Sequence, residues 1–196
     1  MNMKKVFSII LASNSPRRRD ILRQIGLDFV QRPVDLDEKI RPGEPPEDYA
    51  GRVSLDKARV AAAKAGSGIV IAADTIVALE NRILGKPTDA RDAHRMLTLL
   101  SGRMHHVITG LTVMDAATGK TVTRTANTKV WFRELSDGEI EAYIATEEPL
   151  DKAGAYGIQE KGALLVNRIE GCYFNVVGLP LAVLGQILRD FGINLL

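Results

Sequence analysis

Ser13, Ser15, Arg17 and Arg18 crowd the segment Ser13-Asn14-Ser15-Pro16-Arg17-Arg18, directly after the apolar, β-branched run 6–12. Ser15 is a good N-cap and Pro16 suits the first helical position. A helix opening here would set its free N–H groups and positive dipole end beside two guanidinium groups. That combination suits a phosphate; the plainer alternative is a capped surface helix with solvated arginines. Asp74 follows the apolar residues 69–73, where a carboxylate is costly unless it has a partner or a metal. Glu38, on an acidic stretch with Asp35 and Asp37, could complete a magnesium site, because that hard cation takes one or two carboxylates with water and phosphate oxygens. Lys57 interrupts an apolar helical stripe, and Lys86 sits in the tight turn Gly85-Lys86-Pro87. Snorkelling to water is the alternative for Lys57, and ordinary turn exposure for Lys86.

These groups need elements to hold them. Residues 6–12 read as a buried strand and the helix after Ser15 stops at Gly26, the strand, turn and helix with which α/β folds begin. The proline-rich, acidic segment 33–46 has no periodicity and reads as a loop carrying Glu38. A helix over 46–65 follows, with Tyr49, Val53, Lys57 and Val60 along one stripe. Residues 69–73 form a strand that ends in Asp74-Thr75 and leads into a hairpin of 76–79 against 83–84. Ligands of open α/β sheets bind beyond the carboxyl ends of strands, so Ser13 and Asp74-Thr75 are expected to share one rim. Further on come a helix over 89–100, two long strands over 104–114 and 121–132, and a capping box Ser136-Asp137-Gly138-Glu139 opening a short helix. A glycine-rich loop spans 151–162, a second hairpin pairs 163–169 with 172–177, and an amphipathic helix covers 181–191.

The composition excludes several classes. With 196 residues, 45% hydrophobic, 26% charged and a net charge of +2, the chain is an ordinary globular mixture, too balanced to coat nucleic acid or an anionic membrane. One domain over 1–196 is expected, with no repeat and no separating linker. The single Cys172 excludes an internal disulfide and fits a reducing compartment. Lys4, Lys5 and VFSIILA imitate a minimal signal peptide, but Pro16-Arg17-Arg18-Arg19 follows where a cleavage region should lie, so a cytoplasmic protein is expected. Ala117-Thr118-Gly119-Lys120-Thr121 lacks the upstream glycine of a Walker A loop, and His94, His105 and His106 lack metal-ligand spacing. A nucleic-acid module built on Arg17 to Arg19 would need aromatic interleaving that is absent.

Beyond these residues the chain resembles a known family. Leu11-Ala12-Ser13-Asn14-Ser15-Pro16-Arg17-Arg18, Ala73-Asp74-Thr75-Ile76-Val77, Gly85-Lys86-Pro87, Leu100-Ser101-Gly102, Asp151-Lys152-Ala153-Gly154-Ala155-Tyr156-Gly157-Ile158-Gln159 and Val177-Gly178-Leu179-Pro180-Leu181 occur in the order found in the Maf family of nucleoside triphosphate pyrophosphatases. The resemblance implies an α/β fold with an elongated mixed sheet flanked by helices, two lobes around a cleft, similar to inosine triphosphate pyrophosphatases. It implies hydrolysis between the α- and β-phosphates of a nucleoside triphosphate, with a divalent metal cation, Mg²⁺ or Mn²⁺, as cofactor. Asp74 would be the catalytic carboxylate and proton acceptor, Glu38 its metal-binding partner, and Arg17, Lys57 and Lys86 the phosphate clamp, with Ser13 and Arg18 beside the substrate. Thr75, Gln159 and Arg17 match positions tied to substrate choice. Gln159 points to the branch acting on dTTP and UTP, since the 7-methyl-GTP branch carries Glu there, and an amide both donates to and accepts from a pyrimidine edge. Many members of that branch place Gly after the Gln, whereas this chain has Glu160-Lys161. The partner is then a nucleoside triphosphate, with no nucleic acid or membrane, and a homodimer is left open. Rival readings are a nucleotide-binding regulator of septum formation without turnover and a pyrophosphatase preferring modified nucleotides; Glu38, Asp74, Lys57 and Lys86 together favour an enzyme.

Overall fold

A computed structural model describes residues 8–196. The start of the expected first strand, Val6 and Phe7, lies outside the described residues. The rest of it is β1 (Ile9–Leu11), followed by α1 (Pro16–Gln24), whose N-cap Ser15 accepts a hydrogen bond from the Arg18 N–H. Then come β2 (Val30–Gln31), α2 (Pro46–Ala65), β3 (Ile69–Leu79), β4 (Arg82–Leu84), α3 (Ala90–Leu100), β5 (Met104–Asp115) and β6 (Thr121–Phe132). The chain closes with α4 (Asp137–Ile144), three 3-10 turns between Glu148 and Leu165, β7 (Val166–Glu170), α5 (Tyr173–Val177) and α6 (Leu181–Asp190). Among the described residues no helix is long and apolar enough to cross a membrane.

The strands form one mixed sheet in the order β2-β1-β3-β5-β6-β7, with β4 paired to β3. β1 is parallel to β2 and β3; the other pairs are antiparallel. Two expectations are corrected. The central strand does not end at Asp74-Thr75: β3 runs on to Leu79 and turns back through Glu80-Asn81, both at positive φ as a two-residue hairpin turn requires. β1 pairs with β3 only as far as Ile71, and β4 takes the same edge only from Val77. The rim is therefore a gap in the edge of a continuing strand. Asp74 and Thr75 lie in that gap. The second correction is that 172–177 is no hairpin strand. Gly171, at φ +134, lies so close to Thr128 that a Cβ would come within 2.8 Å of its hydroxyl. After this sharp turn the chain winds into α5, whose Asn175 amide donates to the Val107 carbonyl and the Thr128 hydroxyl.

Alternation along β3 decides which side each residue serves. Ile69, Ile71 and Ala73 join the core under α1 and α6, while Val77 and Leu79 join a second core under α3 and α4. On the opposite face Val70 and Ala72, then Ile76 and Ala78, pack beneath α2. Two cores along one elongated sheet make the two lobes. Asp74 projects to the α2 face and Thr75 to the other, between the lobes. Gly110 of β5, the register partner of Asp74, lets α2 settle onto the sheet, since a Cβ there would lie 2.0 Å from the Ala50 carbonyl oxygen.

Candidate active site

Arg18 organises the gap. Its Nε donates to the Gly178 carbonyl at 2.8 Å, Nη1 to Ser13 Oγ at 3.1 Å and to the Ala73 carbonyl at 2.9 Å, and Nη2 to Thr75 Oγ1 at 2.9 Å. The Ala73 oxygen, left without a strand partner where β1 stops, is thereby satisfied. Burial pushes the Arg18 guanidinium below its ordinary value, with Asp74 pulling the other way. Ser13, 8% exposed, accepts from the Ser15 N–H as well as from Arg18. The Thr75 hydroxyl is also hydrogen-bonded to Thr109 at 2.9 Å. Ser13, Arg18 and Thr75 thus form one lattice tying α1, β3 and the end of α5 together. Arg17, one residue earlier, points elsewhere. Its Nη1 lies 3.4 Å from Asp151 Oδ2, so it reaches from α1 to the loop of the other lobe.

On the α2 face a lysine joins two carboxylates. Lys57 Nζ lies 2.7 Å from Asp74 Oδ1 and 2.7 Å from Glu38 Oε1; the Lys57 and Asp74 side chains are about one-tenth exposed, whereas Glu38 is 42% exposed. Glu38 is held by its surroundings. Tyr49 donates to the Glu38 carbonyl at 2.9 Å, and Arg52 grips Glu44 with two nitrogens at 2.5 and 2.7 Å while donating to the Lys39 carbonyl. Burial, reinforced by Asp74 and Glu38, pushes the Tyr49 hydroxyl up to about 12, so it remains a donor. The Arg52 hydrogen bonds hold Glu44 down at about 2. Tyr49, Arg52 and Glu44 have no motif-like spacing: the last two sit eight positions apart, across the change from loop to helix. No local signal in the sequence marks this tether.

The donor set fits a hard divalent ion. Asp74 and Glu38 converge on one ammonium, and among the described residues there is no cluster of three or more His, Cys, Asp or Glu side chains able to hold a metal by itself. Two carboxylates with water and phosphate oxygens suit magnesium or manganese, whereas a structural zinc site would need four protein ligands. The histidines stand apart, as their spacing predicts. His105 is fully buried with Nε2 2.7 Å from the Tyr156 hydroxyl, and burial takes it down to about 3; His106, on the other side of β5, pairs with Asn127.

Lys86 and Gln159 complete the expected set. Lys86 is exposed and makes no hydrogen bond or ion pair among the described residues, while the Gly85 carbonyl before it accepts from the Gly154 N–H at 2.9 Å. The Lys86 turn is thus stitched to the segment that leads to Gln159. Gln159 is exposed, and its side chain has no partner among the described residues. Glu160 beside it adopts φ +56, in the left-handed region where glycine is at ease, so this chain keeps with a glutamate the backbone form that glycine favours. Lys57 contacts both Asp74 and Glu38; Ser13, Arg18 and Thr75 form the adjoining lattice; Arg17 faces Asp151, and Lys86 and Gln159 are exposed outside these contacts.

Comparison with known proteins agrees in fold and sequence. A HAM1 protein from Coxiella burnetii superposes with a TM-score of 0.54, covering 94% of this chain and 100% of that one at 16% identity, and the Staphylococcus aureus Ham1 protein with 0.52, covering 93% and 98% at 17%. Such low identity speaks to the fold alone. The dTTP/UTP pyrophosphatase of Alkaliphilus oremlandii is 52% identical over 190 residues, covering 96% of this chain and 98% of the relative. That of Acetivibrio thermocellus is 49% identical over 195 residues, covering 96% and 97%. Residues 8–191 match the family of Maf-like proteins, and the chain belongs to that family.

Proposed function

We propose that the chain hydrolyses dTTP and UTP between the α- and β-phosphates, releasing a nucleoside monophosphate and pyrophosphate in the cytoplasm. The observation that carries this reading is the Asp74–Lys57–Glu38 contact in the gap of β3, beside the N-terminus of α1. It joins a nearly buried carboxylate, a second carboxylate and an ammonium to a helix end that favours anions. Phosphoryl transfer is chiefly positioning and charge stabilisation, which several cations around a triphosphate supply. Arg17 reaches from α1, Lys86 from the β4 side and Lys57 from α2, so the phosphate chain is gripped from three elements. Asp74 accepts a proton from the attacking water as its oxygen bonds to phosphorus and the α–β bridging P–O bond breaks. Asp74 and Glu38 would hold the divalent cation, which supplies charge neutralisation and a more acidic bound water.

Base choice rests on Gln159, whose unengaged amide can donate and accept at once, with Arg17 and Thr75 shaping the neighbouring wall. The names borne by relatives at about 50% identity point the same way. A panel of nucleoside triphosphates, assayed with Mg²⁺ or Mn²⁺ and again with chelator, tests the reading. dTTP and UTP should be the preferred substrates and chelator should abolish turnover. Binding without turnover of any triphosphate would make the chain a nucleotide-responsive regulator instead.

A further inference from the structure

Gln159 is presented by a loop whose base is pinched shut. Gly162 lies so close to Gly157 that a Cβ would fall 2.0 Å from the Gly157 carbonyl oxygen and 2.6 Å from the Tyr143 hydroxyl. The residues between, Ile158 to Lys161, form the tip. One carboxylate meets this pinch from outside. Glu148 Oε1 accepts from the Tyr143 hydroxyl at 2.9 Å and from the Gly162 N–H at 3.2 Å, and its Oε2 accepts from the Lys161 N–H at 3.2 Å. The Tyr143 hydroxyl accepts in turn from the Gly157 N–H at 3.2 Å. Backbone N–H groups on both sides of Gln159 are thus gathered by Glu148 and Tyr143. No lysine or arginine side chain pairs with the Glu148 carboxylate among the described residues, so its acceptor capacity goes to this loop. Tyr143, a buried member of the α3–α4 core, is held away from ionisation chiefly by burial and stays a donor.

Glu148 is also linked, through Lys152 and Asp151, to Arg17 on the other side of the gap. Its backbone carbonyl accepts from Lys152 Nζ at 2.5 Å, that ammonium also donates to Asp151 Oδ1 at 2.8 Å, and Asp151 Oδ2 faces Arg17. Tyr156, at the start of the loop, is fixed independently by its hydrogen bond to buried His105.

We propose that Glu148, acting with Tyr143, is a positioning residue for substrate choice, clamping the two arms of the loop so that the Gln159 amide stands at a fixed place before the pyrimidine. This rests on the reading of Gln159 given above. A carboxylate is needed because three N–H or O–H donors converge on it. In Glu148→Gln one oxygen becomes an NH₂ group that opposes a donor, and the clamp opens on that side.

Two measurements on the full chain test it, using Glu148→Gln, Tyr143→Phe and, as a control, Glu147→Gln, whose side chain is exposed. In hydrogen exchange, the Gly157, Lys161 and Gly162 amides should exchange at least about tenfold faster in the first two variants, with β3 unchanged. In kinetics, the kcat/KM ratio of UTP over ATP should fall about tenfold, mostly through KM for UTP, because the base is held less well. The control should match the wild type in both. Unchanged amide exchange in the loop, or acceleration spread equally over β3, overturns the clamp. Loop loosening with an unchanged UTP over ATP ratio overturns its role in selection. A wild-type protein that does not favour UTP refutes the Gln159 reading itself, and the exchange result then decides the clamp on its own.

Discussion

Asp74 is an acid placed in an apolar strand, and its surroundings make it useful. The side chain is nearly buried, yet Lys57 meets it directly, so the charge is compensated without a bulk-solvent shell. Asp74→Asn keeps size and shape but removes the carboxylate charge to which the proposed function assigns cation binding and proton acceptance. Its turnover of UTP should fall on the order of 100-fold or more while circular dichroism and melting remain close to wild type. Near-normal turnover would make Asp74 a structural partner of Lys57. Arg18 shows the opposite use of charge. Four of its hydrogen bonds go to protein atoms, which makes it the fastening of the gap, whereas Arg17 is left to reach across it. Adjacent arginines of identical chemistry are separated by helix geometry alone: successive residues point about 100° apart.

At the scale of elements, α2 sets the position of Lys57, and Gly110 sets the position of α2. A methyl group at Gly110 would meet backbone, the Ala50 carbonyl, and backbone cannot swing aside. Gly110→Ala should therefore lift the helix, lowering stability by about 1–3 kcal/mol and drawing Lys57 off Asp74. Urea unfolding and UTP turnover should fall together; a variant as stable and active as wild type would contradict the close approach. The acidic loop is tethered by Glu44 and Arg52, and its acid sensitivity follows from the lowered Glu44 value. The tether is fully present above the ordinary value of about 4.5 and is lost as pH falls toward about 2, where Glu44 protonates in the folded protein. The stability difference between wild type and Glu44→Gln should be constant above about 4.5 and shrink below it. A difference independent of pH would show that the pair contributes nothing electrostatic.

Much of this was legible in the sequence, for identifiable reasons. Ser15-Pro16, the stripe through α2 and the Ser136 to Glu139 capping box are local signals, and the structure keeps each of them. Asp74 was readable as an anomaly, but reading it as a strand end fails because the polar neighbour that tolerates it, Lys57, comes from another element. The β-branched pair Val176-Val177 favours a strand, yet Gly171 and the buried amide of Asn175 impose a helical turn. Glu148, Tyr143 and Arg52 left no local trace, since their partners are backbone groups and loop residues gathered by tertiary packing. Glu160 was visible as a departure from glycine. Its left-handed φ is one that glycine holds without strain, and a glutamate holds it at a cost of about 1–2 kcal/mol.

At the scale of the molecule, β3, β5 and β6 run through both lobes, so the gap is built on continuous strands. A polar seam of Thr75, Thr109 and Arg18 replaces apolar packing where the lobes meet. In the function proposed above, Asp74 with Lys57 on the α2 face, together with Arg17 and Lys86, would be the groups that grip the polyphosphate. In the proposed reaction it is the bond between the α- and β-phosphates that breaks. The most direct measurement is quantification of the first products formed from UTP in the presence of Mg²⁺, with pyrophosphate and orthophosphate determined separately. The arrangement predicts UMP and pyrophosphate in equal amounts with no UDP at early times; UDP and orthophosphate as the initial products would contradict it.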